Sequence, residues 1–381
     1  MRVIKQYSPR KLVFGPGCAS NLVTDVSGRE LKRIFLITAP VLRNVIDPIM
    51  DTLKTAGISI EIDDSIVDEP TFDTLGDCLE KAASFEANGV IGIGGGSVLD
   101  VAKAVAGLHG GSQKIREVIG NGLLTGRSTY LACLPTTSGT GSEISPNAIF
   151  ADESDNLKKA IISSFIVPDT VFVDPVLTAS VPPHITAACG IDALSHCMEA
   201  FTNKFAHPLI DGYAYKGMSL IGKSLRRAVK DGNDIQARTD VALGSMLGGM
   251  CLGPVNTTAV HALAYPLQGE FKKSHGLSIS VMLSHVMDFN IEANVEKYAL
   301  VAEALGVELS KNTRAMANQS VVAACQLSID CGVPQTLSEI GIPSDAIDEL
   351  ARQAMTVTRL LDNNPREINE SDARKIFERA Y

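Results

Sequence analysis

At 381 residues the chain has room for two domains, each with its own apolar core. Apolar residues make up 45% and charged residues 20%, and the net charge of −9 excludes a surface built to neutralise nucleic-acid phosphates. No stretch approaches the roughly 18 uninterrupted apolar residues of a membrane helix, and Met1 to Arg10 carry charges where a secretory leader would have its apolar segment, so the expected setting is the cytoplasm, with no membrane partner.

In chain order, Ile34-Phe35-Leu36-Ile37-Thr38 reads as a buried strand and Val45 to Ala56 as the helix after it. Val90 to Ile93 is the next strand, running directly into Gly94-Gly95-Gly96. The helix that follows has apolar residues at Val98, Val101, Ala102, Val105 and Leu108, the three-and-four stepping of one buried face. Further strands are expected at Tyr130–Leu134 and Val171–Val173. Strand and helix in alternation imply parallel pairing, hence an α/β sheet covered on both faces. After Val181-Pro182-Pro183 the strand signals fade. Helical patterns take over at Ile185–Phe201, Asp211–Lys230, Ala237–Leu252, Gly276–Ile291 and Val295–Leu305. The double proline sets the expected boundary between an α/β domain, 1–181, and an all-helical one, 182–381. The eight cysteines are irregularly spaced with no C-x-x-C pair, which reads as free thiols rather than a zinc knot or a disulfide framework.

Gly94-Gly95-Gly96-Ser97 lies between a strand and a helix N-terminus, where glycines allow a sharp turn and unpaired N–H groups suit a diphosphate. Ser97 with Asp100 three residues on fits a capping box. The run departs from G-x-G-x-x-G at its last place, and alone it is equally compatible with a tight turn that binds nothing. A second turn, Pro135-Thr136-Thr137-Ser138-Gly139-Thr140-Gly141-Ser142-Glu143, follows another strand. Two polar turns at the ends of parallel strands favour a bound nucleotide.

In the helical half, Asp192 and His196 are four residues apart and share a helical face. His261 and His275 stand in two further segments. One carboxylate and three imidazoles suit Fe2+ or Zn2+ and leave room for a substrate oxygen. Each residue alone reads equally as a hydrogen-bonded core group; the set, together with the two turns, carries the argument. His109, His184, His207 and His285 sit in loop-like, helix-start or apolar settings and are set aside.

These motifs, with Phe14-Gly15-Pro16-Gly17 before them and Asn364-Pro365-Arg366 after, resemble the iron-containing (group III) alcohol dehydrogenases almost end to end. The resemblance implies a Rossmann-like N-terminal domain and an all-helical C-terminal domain, the dehydroquinate synthase-like arrangement. It implies metal ligation by Asp192, His196, His261 and His275, and a diphosphate held by Gly95, Gly96 and Ser97 at the helix that carries Asp100. Thr136, Thr137 and Ser142 would contact the cofactor from the second turn, Lys159 would reach its ribose side, and the protein would be a homodimer or larger homo-oligomer. Two departures stand out. Tyr265 occupies a position where many members carry a histidine, and its phenol, titrating near about 10, is a poor proton acceptor at neutral pH. It would hydrogen-bond the substrate, close the pocket, or simply pack. Ala39 stands where NAD-preferring members carry an aspartate, which leaves the cofactor as NAD or NADP, with Arg43 nearby. The expected activity is hydride transfer between a small alcohol or aldehyde and nicotinamide C4, at a substrate oxygen polarised by the metal. A polyol dehydrogenase or a dehydroquinate-synthase-like lyase is the alternative. Lys272-Lys273, just before His275, would favour an anionic aldehyde if they face the site; solvated surface lysines are the other reading.

Overall fold

The computed structural model describes residues 2–152, 154 and 157–381. The chain forms two compact units. One consists of Gln6–Thr137 and Gly141–Ser180; the other takes Val181–Tyr381 together with Met1–Lys5 and Ser138–Thr140. The units are therefore not two uninterrupted lengths of chain: the N-terminal tip and three residues of the second polar turn group with the helices.

The first unit contains strands β1 (Lys11–Phe14), β2 (Arg33–Ile37), β3 (Ser59–Asp63), β4 (Gly89–Gly94), β5 (Gly120–Asn121), β6 (Tyr130–Pro135), β7 (Asn147–Asp152), β8 (Leu157–Ile162) and β9 (Thr170–Val173). Its helices are α1 (Leu22–Gly28), α2 (Arg43–Thr55), α3 (Phe72–Ser84) and α4 (Gly96–Leu108). Six strands pair in the order β1-β9-β6-β4-β2-β3, every pairing parallel. Successive side chains on the inner strands go to opposite faces. Phe35, Ile37, Val90, Leu131 and Cys133 join one core with Val98, Val101 and Val105 of α4. Ile34, Leu36, Ile91, Ile93 and Leu134 join the other with Leu22 of α1 and Ile46 and Met50 of α2. Burial on both faces explains why these strands read as unbroken apolar runs. A small second sheet pairs β5-β8-β7.

The chain passes from β2 outward to β3 and then returns to place β4 on the other side of β2. Strand order reverses there, and in open parallel sheets the ligand crevice lies beyond the carboxyl ends at such a point. Those ends carry Thr38-Ala39-Pro40 after β2 and Gly95-Gly96-Ser97 after β4. They are tied together by Thr38 Oγ1 donating to the Ile93 carbonyl (2.8 Å) and by the Thr136 N–H donating to the Gly94 carbonyl (2.9 Å). At Gly94 a Cβ would lie 2.6 Å from the Cβ of Val98, so this glycine lets α4 fold back tightly on β4.

At the amino ends of the strands, buried Asp25 of α1 gathers the first residues of three of them. It accepts from Tyr130 Oη (2.6 Å), Thr170 Oγ1 (2.9 Å) and Lys11 Nζ (3.0 Å), and also from Arg29 Nε (3.2 Å).

The second unit is helical: α5 (Pro183–Thr202), α6 (Pro208–Lys230), α7 (Ile235–Leu252), α8 (Ala259–Phe271), α9 (His275–Asn290), α10 (Val295–Ala304), α11 (Thr313–Asp330), α12 (Ile347–Ala354), α13 (Thr358–Leu361) and α14 (Glu370–Ala380). Every residue of α5 from Gly190 to Thr202 is buried, as a helix apolar around its whole circumference requires. Helices α6, α7 and α9 pack around it. At Gly276 an added Cβ would stand 2.8 Å from the Ala188 carbonyl oxygen, so glycine is what brings the start of α9 against α5. All eight cysteines are free, and among the described residues no helix is long and apolar enough to cross a membrane.

Burial alone would raise the Asp25 carboxyl, but hydrogen bonds from Tyr130, Lys11, Thr170 and Arg29 hold it down at about 2, against an ordinary value of 3.8. Its stabilising contribution is therefore present above about pH 4 and is lost as the pH falls toward 2. Asp25→Asn is expected to lower stability at pH 7 by roughly 1–3 kcal/mol. In thermal melts the gap from wild type should narrow from pH 4 downward; a gap constant with pH would contradict an ionised Asp25.

Candidate functional site

Asp192 and His196 project from one face of α5, His261 from the first turn of α8, and His275 begins α9. The structure brings all four together. One donor atom from each lies within 4.8 Å of the others. Asp192 Oδ1 is 3.4 Å from His275 Nε2, 3.5 Å from His261 Nε2 and 3.7 Å from His196 Nε2. The His196 and His261 Nε2 atoms are 3.0 Å apart, and their rings stack with centroids at 4.8 Å. Donors about 2.0–2.2 Å from a common cation would be separated by roughly 3–3.6 Å, close to the Asp192–imidazole and His196–His261 separations. Asp192 Oδ1 is also buried with no hydrogen-bond partner, which in a folded protein calls for an explanation that a cation would supply.

Sequence reasoning missed two residues behind this cluster. Glu199 lies seven positions after Asp192 on α5 and is buried. Its Oε1 accepts from the Thr258 N–H (2.9 Å), Thr258 Oγ1 (2.8 Å) and the Val260 N–H (2.9 Å) at the start of α8. Its Oε2 accepts from Ser195 Oγ (3.0 Å) and meets His261 Nδ1 in a short contact. Gln268, also buried, sets its Oε1 3.0 Å from His275 Nδ1 while its Nε2 donates to the Ala264 carbonyl (3.2 Å). His196 Nδ1 is buried without a partner. The legible signal was a second carboxylate, Glu199, seven residues after Asp192 in a largely apolar helix.

The electrostatics of the cluster follow from its burial and its neighbours. Burial would raise Asp192, yet the imidazoles of His196 and His275 hold it well below the usual carboxylate range. Burial pushes His196 down to about 4. Burial also works against a charged His261, but the facing Glu199 and Asp192 outweigh it and raise the ring to about 9. Among the described residues neither buried carboxylate has a Lys or Arg ion-pair partner, so positive charge must come from an imidazolium or from a bound cation.

In the other unit, Gly95, Gly96 and Ser97 are half-exposed at the start of α4. The capping box expected from Ser97 and Asp100 does not form: Gly95 is the N-cap residue and no side chain caps the helix. The reason is that Asp100 is engaged elsewhere. Its carboxylate accepts from the Ser142 hydroxyl and the Ile149 N–H (2.9 Å), and Lys103 Nζ lies 3.3 Å away. Lys103, fully buried, donates to Ser142 Oγ (2.8 Å), to the Ser142 carbonyl (2.8 Å) and to the carbonyls of Ser145 and Asn147. The side chains of Asp100 and Ser142 are thus bonded to each other, and Thr136 and Thr137 flank Gly94 and Gly95. Lys159, on β8, sets its ammonium on Asp152 (2.7 Å), which Arg116 also pairs. Ala39, two residues past β2, is half-exposed, and nearby Arg43 is paired with Asp64 (2.7 Å). Tyr265 is half-buried on α8, packed against the helical core one turn after His261. Lys272 is exposed as the left-handed C-cap of α8, and Lys273 Nζ stands beside Gly341.

Comparison with known proteins converges on one family. The iron-containing alcohol dehydrogenase profile matches residues 9–175, and that of the Fe-containing alcohol dehydrogenase family, C-terminal, matches 186–381. Long-chain-alcohol dehydrogenase 1 of Geobacillus thermodenitrificans is 37% identical over 98% of this chain and 97% of its own length. The crystal structure of a 1,3-propanediol oxidoreductase superposes with a TM-score of 0.96 at 30% identity, covering 100% of both chains. Sulfoacetaldehyde reductase from Bifidobacterium kashiwanohense, solved in complex with NAD+, gives 0.87 at 25% identity over 100% of this chain and 99% of that one. The chain belongs to the iron-containing alcohol dehydrogenase family and is an oxidoreductase of alcohols and aldehydes.

Proposed function

We propose that Asp192, His196, His261 and His275 hold one divalent cation, Fe2+ or Zn2+, and that the protein interconverts a small alcohol and its aldehyde with NAD or NADP. The observation that carries this reading is the buried, hydrogen-bond-free Asp192 Oδ1 facing three imidazole Nε2 atoms at 3.4–3.7 Å. When bound, the cation supplies a Lewis acid able to lower a hydroxyl pKa from about 16 toward neutrality, and the nicotinamide exchanges hydride with the substrate carbon. The protein's own part is to orient. Asp192 and Glu199 provide two negative charges against the dication, while Glu199 and Gln268 hold the His261 and His275 rings with Nε2 turned inward. Half-buried Tyr265, one turn from His261, forms part of the substrate wall and offers its hydroxyl to the substrate oxygen.

For the nucleotide, the uncapped first turn of α4 gives the N–H groups of Gly96 and Ser97 to the diphosphate, and Gly95 leaves the approach open. Thr136 and Thr137 line the same strand ends. Asp100, Lys103 and Ser142 act one step back, fixing the second turn through their buried network rather than touching the cofactor. Lys159 reaches the ribose side only by exchanging Asp152 for the nucleotide. Eight free thiols suit a reducing, cytoplasmic setting.

The relatives named above act on long-chain alcohols, 1,3-propanediol and sulfoacetaldehyde, which differ in length and charge but share the reacting hydroxyl or carbonyl. The direct test is oxidation of NADH or NADPH, followed at 340 nm, with a panel of short neutral and anionic aldehydes and metal-replete protein. No turnover on any of them would defeat the reading.

His261→Ala is expected to remove bound metal and turnover together, with the melting temperature of the metal-free protein within a few degrees of wild type. Full activity in a metal-free His261→Ala protein would refute the assignment. Ala39→Asp restores a carboxylate just past β2 and should lower catalytic efficiency with NADPH by roughly tenfold or more through repulsion of the 2′-phosphate, leaving NADH little changed. Equal losses with both cofactors would remove Ala39 from the ribose site.

A further inference from the structure

The three imidazoles of the cluster are supported unequally. His261 has a buried carboxylate on Nδ1, His275 has a neutral amide oxygen, and His196 has nothing. We infer that Glu199 is a positioning residue that sets the tautomer of His261 and makes it the anchor of the cation site, with Gln268 doing the same more weakly for His275. The inference rests on the cation reading above and assigns roles to two residues outside the four-donor set.

Donors and acceptors fix the tautomers. An ionised carboxylate can only accept, so a neutral His261 opposite Glu199 must carry its proton on Nδ1 and present the Nε2 lone pair inward. The Gln268 amide is oriented by its own donor: because Nε2 gives its proton to the Ala264 carbonyl, Oε1 faces His275 and again requires Nδ1–H. A carboxylate partner also makes the opposite ring nitrogen more basic, which an amide does to a lesser degree. Glu199 is held for this task. Its other oxygen accepts three N–H groups, those of Thr258, Val260 and His261, and the Thr258 hydroxyl at the start of α8, the helix that bears His261, so the ring and the carboxylate move as one piece.

Glu199→Gln separates positioning from packing. A glutamine can keep its oxygen toward the Thr258 and Val260 N–H groups, which places its NH2 against His261 Nδ1. That amide now donates, so the ring must accept at Nδ1 and carry its proton on Nε2, where it blocks the cation. Co(II) affinity, measured by competition with a chromophoric chelator on stripped protein, is expected to fall 10- to 100-fold in Glu199→Gln. It should fall less in Gln268→Ala. Metal-free melting temperatures should stay near wild type in both.

A second readout needs no variant. In Zn(II)-loaded wild-type protein, nitrogen-resolved NMR of the histidine rings should show a slowly exchanging, strongly downfield Nδ1 proton on His261. Wild type that binds neither Co(II) nor Zn(II) would overturn the cation site itself. Wild type that binds, with Glu199→Gln binding equally well or His261 protonated on Nε2, would leave the site standing and overturn the role of Glu199.

Discussion

Two carboxylates, Asp192 and Glu199, are buried on a helix that has no water-facing side over its last thirteen residues, and no lysine or arginine among the described residues pairs with either. Uncompensated charge in such a place is strongly unfavourable. The surrounding sequence reads as the answer to that constraint. Three imidazoles converge on Asp192, a helix N-terminus is turned onto Glu199, and one Asp192 oxygen remains without a hydrogen bond. A dication balances the two negative charges without requiring any of the rings to be protonated. Fold and chemistry meet in this balance, since the donors come from α5, α8 and α9 and only their packing assembles the set.

The sheet unit solves a different problem by similar means. The start of α4 keeps its first N–H groups free of any side-chain cap, and Asp100, which the local spacing would make a capping partner, is committed to Ser142 and Ile149. Lys103, without any exposed surface, is tolerated because the Asp100 carboxylate and four further oxygens surround its ammonium, most of them from the turn after β6. This network shapes the second turn from beneath while the first stays open. On this view the polar residues of the two turns divide into those that face a ligand and those that hold the backbone for it.

How much could be read in advance follows from what each signal depends on. Inner strands β2, β4 and β6 were legible because burial on both faces leaves continuous apolar runs, while β1 and β3, half-exposed, carry no such run. Helices with long apolar patterns appeared with ends within a few residues of those observed. Within the four-residue cluster, helical spacing linked Asp192 and His196, while His261 and His275 stood out as imidazoles in two further segments and the resemblance joined them to the set. Glu199 and Gln268 were not, because their meaning lies in what faces them across helices. The Ser97–Asp100 capping pattern misled for the same reason: local spacing was right for a cap, but a partner more than forty residues away took the carboxylate. Local chemistry proposes, and tertiary partners decide.

The balance of charge at Asp192 and Glu199 can be put to one direct measurement. Protein purified without air, stripped with a chelator and titrated with Fe2+ or Zn2+ should recover aldehyde reduction in proportion to metal bound, saturating at one ion per chain by elemental analysis. Stripped protein that turns over at the full rate, or activity that returns without stoichiometric metal, would contradict the account.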